Sequence, residues 1–238
     1  MIYCAEVGSC HKGIPALAYE MIHQAALAGA DIVKFQFGHY HPNEHLDEVT
    51  DMRTQLMRYA PMEWYRDLAD WCEQWNIELM ASIFSTRGLE AAREIGMKRY
   101  KMASPQAFAE HSFEDYHELL EEMKKDDKEI FSTGSMDLEY AKMHPIFAVS
   151  EYPTYPADYH QPHRYSATSR KEFWYGYSSH VHGIADALVA ISRGAQYVEK
   201  HVTLNKTETS IKDNAFALSF DEFRQMRLIG REIEAICS

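Results

Sequence analysis

The chain is poor in the residues that staple, anchor or export a protein. Its four cysteines, Cys4, Cys10, Cys72 and Cys237, are scattered without CxxC spacing. That argues against a disulfide framework and against a paired-cysteine zinc or redox motif. No run approaches the roughly 18 consecutive apolar residues of a membrane span. The opening MIYCAEVGSC lacks the basic and apolar regions of a signal peptide and reads as a first strand. A cytoplasmic, reduced protein is therefore expected. Positive charge is scarce as well: 24 Lys and Arg face 36 Asp and Glu, a formal net charge of −12. This opposes non-specific nucleic-acid binding, while a local basic pocket stays compatible. P-loop, GxGxxG and Ser-His-Asp signatures are missing. No linker or low-complexity segment divides the chain, so residues 1–238 are expected to form one domain.

What is present is a series of short apolar runs that alternate with helical patterns. Strands are expected at 2–8, 32–37, 78–84, 99–104, 129–133, 146–151, 174–179 and 196–202. Helices are expected at 15–28, 62–75, 86–95, from a Ser112 cap to about 125, and at 137–143, 183–193 and 221–236. Pro15 suits the start of the first helix, Gly29 its end, and Ser219 or Asp221 the cap of the last. Residues 38–60, 153–165 and 204–219 read as long loops, and EEMKKDDKE (121–129) as a solvated helix end. Short apolar runs of this kind suggest parallel strands buried on both faces. Eight such units predict a single α/β domain, a (β/α)8 TIM barrel.

The strand ends carry the chemistry. Lys34 and Gln36 end DIVKFQF, Lys101 and Ser104 end RYKMAS, and Ser132 ends EIFSTG. Ser150 and Tyr152 end PIFAVSEY, Ser178 and His180 end WYGYSSH, and His201 ends QYVEKH. In a barrel these ends converge on one pocket. Two buried lysines call for a phosphate or carboxylate between them, and the serines add neutral donors. Taken singly, each lysine could snorkel to solvent and each serine could cap a helix. The repetition across five strands favours a shared anion site. His180 and His201 end neighbouring strands and could share a divalent metal, with Asp213 as a third ligand and Cys10 as a fourth.

The stretches AEVGSCHKG (5–13), AGADIVKFQ (28–36), KMAS (101–104), STG (132–134), EYPTYPAD (151–158), GYSSHVHG (176–183), GAQYVEKHVTL (194–204) and KDNAFALSFDEF (212–223) carry a resemblance. In this order they resemble the barrel domain of the sialic acid (N-acetylneuraminate) synthase family, without its C-terminal antifreeze-like domain. The resemblance implies condensation of phosphoenolpyruvate with an N-acetylhexosamine to a nine-carbon 2-keto acid, with release of phosphate. It makes Lys34, Lys101, Ser104, Ser132, Ser150 and Ser178 phosphoenolpyruvate contacts. Gln36, Tyr152 and Asp213 become pocket residues near the acceptor or metal. His180 and His201 become ligands of a divalent ion, typically manganese. Cys10 is similar to the first-strand cysteine that binds the metal in related keto-acid synthases, which would favour Zn2+ or Fe2+.

Departures fall on the acceptor side. The family's NHEG is here Cys10, His11, Lys12 and Gly13, so a frequent catalytic glutamate is Lys12, and an anionic acceptor such as a sugar phosphate is expected. The acidic residue after KxxS is Gln106, and the SDH of many members is Ser178, Ser179, His180. Glu6, His11 and a metal-bound water stand open as the general base. A homodimer, or a separate subunit completing the site, is expected. A non-catalytic anion-binding barrel and a keto-acid aldolase or lyase are the alternatives.

Overall fold

The computed structural model describes residues 1–38, 60–102, 113–133, 140–149, 151, 153–155, 160–166, 174–208 and 212–237. Eight parallel strands close in sequence order into a barrel. They are β1 (Ile2–Glu6), β2 (Ile32–Phe37), β3 (Glu78–Ile83), β4 (Arg99–Met102), β5 (Glu129–Ser132), β6 (Met143–Ala148), β7 (Gly176–Ser179) and β8 (Tyr197–His201). Six α-helices are present among the described residues: α1 (Pro15–Ala28), α2 (Met62–Gln74), α3 (Thr86–Glu94), α4 (Phe113–Lys124), α5 (Ala185–Ser192) and α6 (Phe220–Cys237). None of these helices is long and apolar enough to cross a membrane.

Strand alternation sorts the side chains into two layers. Cys4, Ile32, Met80, Phe131, Ile146 and Tyr197 point inward and fill the barrel as one apolar layer. Their neighbours Tyr3, Ala5, Val33, Phe35, Ala81, Tyr100 and Val198 point outward and pack under the helices. Helix α1 meets them with Ala18, Met21, Ile22, Ala25 and Ala28, a spacing of one helical face. Gly29 ends it in the left-handed region at φ 81°, where a side chain would be strained. Ser219 caps α6: its hydroxyl accepts from the Glu222 N–H at 3.2 Å while Glu222 accepts from the Ser219 N–H at 2.7 Å, a reciprocal capping box.

Beyond shifts of one or two residues at strand and helix ends, two features depart from the sequence reading. Strand β6 begins at Met143 rather than at 146, so the end of the expected helix at 137–143 is strand. Pro145 cannot donate to the ladder, yet it pairs with Ser132 and its carbonyl accepts from the Tyr175 N–H at 2.8 Å, so the ladder survives the missing donor. The third long loop contains a short 3₁₀ helix, Lys212–Ala215, and a parallel bridge from Val202 to Leu218. The acidic–basic run is also more than solvated surface. Asp126 accepts from the Arg93 guanidinium at 2.9 Å and the Tyr100 hydroxyl at 2.8 Å, tying α4 to α3 and β4.

Helix α3 sits directly on the end of β2. A Cβ at Gly88 would lie 2.5 Å from the Phe37 carbonyl oxygen and 2.8 Å from its carbon, both backbone. Gly88→Ala is therefore expected to destabilise the chain by about 1–3 kcal/mol, the usual range for overpacking. A urea midpoint unchanged from wild type would contradict this packing.

Candidate active site

Above the apolar layer the barrel interior turns polar. Glu6 on β1, Lys34 on β2, Ser82 on β3, Lys101 on β4, Ser178 on β7 and Glu199 on β8 are all buried there. Lys34 is ion-paired with Glu6 and lies 3.6 Å from Glu199. It also donates to the Ser82 hydroxyl at 2.7 Å. Lys101 reaches Glu199 at 2.5 Å and the Ser178 hydroxyl at 3.2 Å, and that hydroxyl donates to Glu199 at 2.8 Å. The Tyr197 hydroxyl donates to Glu199 from below. The buried anions that meet the two lysines are the protein's own carboxylates, Glu6 and Glu199.

Burial and charge split the two glutamates. Burial pushes Glu6 up to about 7 even though Lys34 opposes the rise. Burial would raise Glu199 too, but Lys101 and Lys34 overcome it and hold that carboxyl well below its usual range. Burial depresses Lys101, whereas for Lys34 the carboxylates of Glu199 and Glu6 outweigh burial and raise it. Near neutral pH the cluster therefore holds a fully ionised Glu199 and a Glu6 poised to gain or lose a proton. Unequal carboxyls side by side are how a site separates its charge-holding group from its acid–base group. Oε1 of Glu6 is buried with no hydrogen-bond partner among the described residues.

The imidazoles stand at the rim. The rings of His180 and His201 are 5.6 Å apart, and both pack on the edge of Phe216, at 5.5 and 5.0 Å. Burial lowers His180 to about 3 and His201 to about 4, so both are neutral. Nδ1 of His180 lies 2.8 Å from the Val149 carbonyl, a contact that requires Nδ1–H and leaves Nε2 with the lone pair. Nδ1 of His201 is buried without a hydrogen-bond partner among the described residues and lies 3.9 Å from Asp213 Oδ2. Asp213 is itself aimed by Ser9, whose N–H and hydroxyl donate to Oδ2 at 3.1 and 2.7 Å. Burial would raise Asp213, but His201 and the Ser9 contacts keep it low. Gly8 makes room for this approach: a Cβ there would fall 2.7 Å from Asp213 Oδ2 and 3.1 Å from the His201 ring. Neutral imidazoles, an ionised carboxylate and an orphaned nitrogen fit the donor set of a divalent metal. Among the described residues no three His, Cys, Asp or Glu are already drawn together as a cage.

The remaining expected residues are placed as follows. Gln36 lies two residues beyond Lys34 on the same face of β2. Cys10 is buried beside Thr203, and burial, Asp213 and Glu6 all push its thiol up, so it is held protonated. Ser132 points the other way. Its neighbour Phe131 fills the barrel, so Ser132 faces the helix layer, where its hydroxyl meets the Tyr116 phenol. His11 sits in the helix layer too, stacked on Trp64 at 5.5 Å and beside Phe35. Its Nδ1 accepts from the Gly13 N–H, so its neighbours are not the charged cluster. Lys12, in the left-handed region at φ 54°, is ion-paired with Glu208 and is not a free cation for an acceptor. Ser104, Gln106, Ser150 and Tyr152 lie outside the described residues.

Sequence reasoning passed over Glu199, Ser82, Ser9 and Phe216. Glu199 had a usable signal: a carboxylate inside YVEKH, two residues before His201 and so on the same face of the strand. Phe216 had none, since its loop folds back over the histidines only in three dimensions.

A closed parallel barrel that gathers lysines, unequal glutamates and neutral imidazoles at its strand C-termini is of the class that handles small anionic molecules at that face. Residues 21–238 match the NeuB family, and the chain belongs to that family. A pseudaminic acid synthase of Campylobacter jejuni is 28% identical over 259 residues, covering 97% of this chain and 73% of that one. The human N-acetylneuraminate-9-phosphate synthase is 26% identical over 260 residues, covering 96% and 70%. Among solved structures, the sialic acid synthetase of Leptospira borgpetersenii superposes with a TM-score of 0.70 at 24% identity, covering 99% of this chain and 84% of that one. The Bacillus subtilis spore coat polysaccharide biosynthesis protein spsE does so with 0.76 at 23% identity, covering 98% and 68%. These two superpositions speak to the fold.

Proposed function

We propose that the chain condenses phosphoenolpyruvate with an aldehyde sugar, N-acetylmannosamine-like or a sugar phosphate, to give a sialic-acid-type 2-keto acid and phosphate. The observation that carries this reading is the strand-end cluster of two buried lysines, a poised Glu6 and a paired set of neutral imidazoles, in a chain of the NeuB family. Lys34 and Lys101 hold the phosphate and carboxylate of phosphoenolpyruvate, and Ser178 orients them. C3 of the enol then attacks the aldehyde carbon: the C–C bond forms, the carbonyl π pair moves to the aldehyde oxygen, and that oxygen takes a proton from solvent. Water adds to the electron-poor C2 and gives its proton to Glu6, whose carboxyl is poised near neutrality for that transfer. The tetrahedral carbon expels phosphate, whose charge the two ammonium groups neutralise. Glu199 stays ionised and keeps both lysines aimed inward. A divalent ion, manganese first and Zn2+ or Fe2+ if Cys10 joins, would be held by His180, His201 and Asp213 and would supply Lewis-acid polarisation of the aldehyde.

Sugar-acid synthesis is the activity for which the pseudaminic acid and N-acetylneuraminate-9-phosphate synthases among its relatives are named. A cytoplasmic setting belongs to the same proposal and is consistent with four free cysteines. So does a homodimer or a second subunit on the acceptor side, which light scattering would read. The test is phosphate release from phosphoenolpyruvate with manganese across aldoses, N-acetylhexosamines and their 6-phosphates. Release is expected with one acceptor class and is expected to vanish in His180→Ala. Binding of phosphoenolpyruvate without release from any acceptor would defeat the synthase reading.

A further inference from the structure

The outer face of the two histidine-bearing strand ends carries a second ionic cluster, which the condensation does not use. Lys200 lies on β8 between Glu199 and His201 and is fully buried. Its ammonium donates to the Ser179 hydroxyl at 2.8 Å and to the Val181 carbonyl at 2.5 Å, and lies 3.5 Å from Asp186 Oδ1. Asp186, in the first turn of α5, accepts from the Tyr177 hydroxyl at 3.0 Å and from the Ser179 hydroxyl. The Val181 N–H returns to Ser179 Oγ at 3.2 Å, and the Gln161 side chain donates to the Asp186 carbonyl at 2.8 Å. One ammonium thus links β8, β7, the β7–α5 turn and the helix that follows.

The placement of this cluster is what makes it informative. Ser179 immediately precedes His180, and Lys200 immediately precedes His201. The two residues pair in register across the β7–β8 ladder. On the opposite face of the same ladder, Ser178 bonds Glu199. Any shift of β7 against β8 would therefore move both imidazoles and break the outer cluster together. An ion pair this deep is not the most stable filling for such a space, since apolar residues of similar volume often match or exceed it. What it supplies here is geometry, since one ammonium ties β8 to Ser179, Val181 and Asp186. The Ser179 hydroxyl accepts from Lys200 and donates to Asp186, so the helix carboxylate reaches the ladder through position 179.

We propose that the Lys200–Asp186 pair, bridged by Ser179, is a positioning device that holds the β7–α5 turn and the end of β8 so that His180 and His201 face one point. Asp186 is the counterion of Lys200. The inference rests on the reading of those two histidines as the working pair of the site.

The test uses Asp186→Ala, Asp186→Asn and the exchange variant Ser179→Asp/Asp186→Ala in the full chain. Asn keeps the volume and an acceptor for Tyr177 and Ser179, so it stands in if the alanine variant does not fold. Three quantities are measured: manganese affinity by calorimetry, kcat and KM for phosphoenolpyruvate, and the thermal midpoint. Manganese binding is expected to weaken by about 10–100-fold in Asp186→Asn, the usual effect of losing a group behind a metal ligand. Turnover should fall with it while KM for phosphoenolpyruvate holds, because Lys34 and Lys101 belong to the inner cluster. The exchange variant should recover both. A variant that loses thermal stability yet binds manganese as wild type does would overturn the proposal, and so would an exchange that restores stability alone. Wild type that binds manganese but releases no phosphate, with binding still weakened in Asp186→Asn, would remove the synthase reading and support the positioning role. Wild type that binds no manganese would remove both.

Discussion

Glu199→Ala is expected to destabilise the chain by about 3–5 kcal/mol, the range for breaking a buried ion pair from one side. Glu199 is the common acceptor of the strand-end cluster: it takes hydrogen bonds from Lys101, Ser178 and Tyr197 and faces Lys34 as well. Without it Lys34 keeps Glu6, but Lys101 is left buried with no carboxylate in contact. For a chain of this size that loss translates to a drop of roughly 6–20 °C in thermal midpoint. The variant should also respond to an anion in a way that wild type does not. Inorganic phosphate would sit where the carboxylate was, so its stabilising effect should be larger in Glu199→Ala than in the parent chain. A variant as stable as wild type, or one indifferent to phosphate, would mean that the lysines reach solvent and that the cluster is no anion site.

Acid should unfold this protein early, and the reason is three buried neutral histidines. Burial holds His180 at about 3 and both His201 and His11 at about 4, against 6.5 for an ordinary imidazole. Their folded values are depressed, so the unfolded chain takes up their protons first. Their contribution is complete above pH 6.5 and is lost as the pH falls toward 4. Each histidine gives a slope of up to about 1.4 kcal/mol per pH unit. Glu6 works in the opposite sense. Its folded value is raised from 4.5 to about 7, so its contribution is present below 4.5 and is lost as the pH rises through 7. Between 4.5 and 6.5 it cancels roughly one histidine of the three. Urea unfolding at half-unit pH steps should show stability falling on acidification across that window, with a slope near two protons. His11→Phe lies in the helix layer and should reduce the slope by one proton without touching the strand-end cluster. Stability that stays level from pH 6.5 to 4.5 would refute the neutral burial of these rings.

The Lys34 and Lys101 ends were legible because a charged residue at the end of an apolar run is costly, and the barrel gives it only one destination. Ser178, two residues before His180, followed from the same alternation. Ser132 was misleading because it lies beside Phe131, which does enter the barrel, and a shift of one position in a strand exchanges the interior for the helix layer. His11 was misleading because its turn lays the ring on Trp64 and Phe35. Lys12 was legible as a charge reversal but not as half of a pair, because Glu208 lies 196 residues away in sequence. The same holds for Asp186, whose value to Lys200 depends on a helix turning back over two strands.

By itself the sequence determined the periodicities, the turn and cap residues, and the polar endings of the strands. These are local properties, decided by how side chains one to four positions apart share a face, and they were enough to specify eight parallel strands and the end at which the chemistry sits. Only the tertiary structure decided which charges neutralise one another. Glu6 with Lys34, Glu199 with Lys101 and Lys200 with Asp186 are contacts set by barrel closure. Whether a buried carboxyl is held ionised or poised near neutrality depends on distances of a few ångströms between distant segments, and closing the barrel is what brings those segments together.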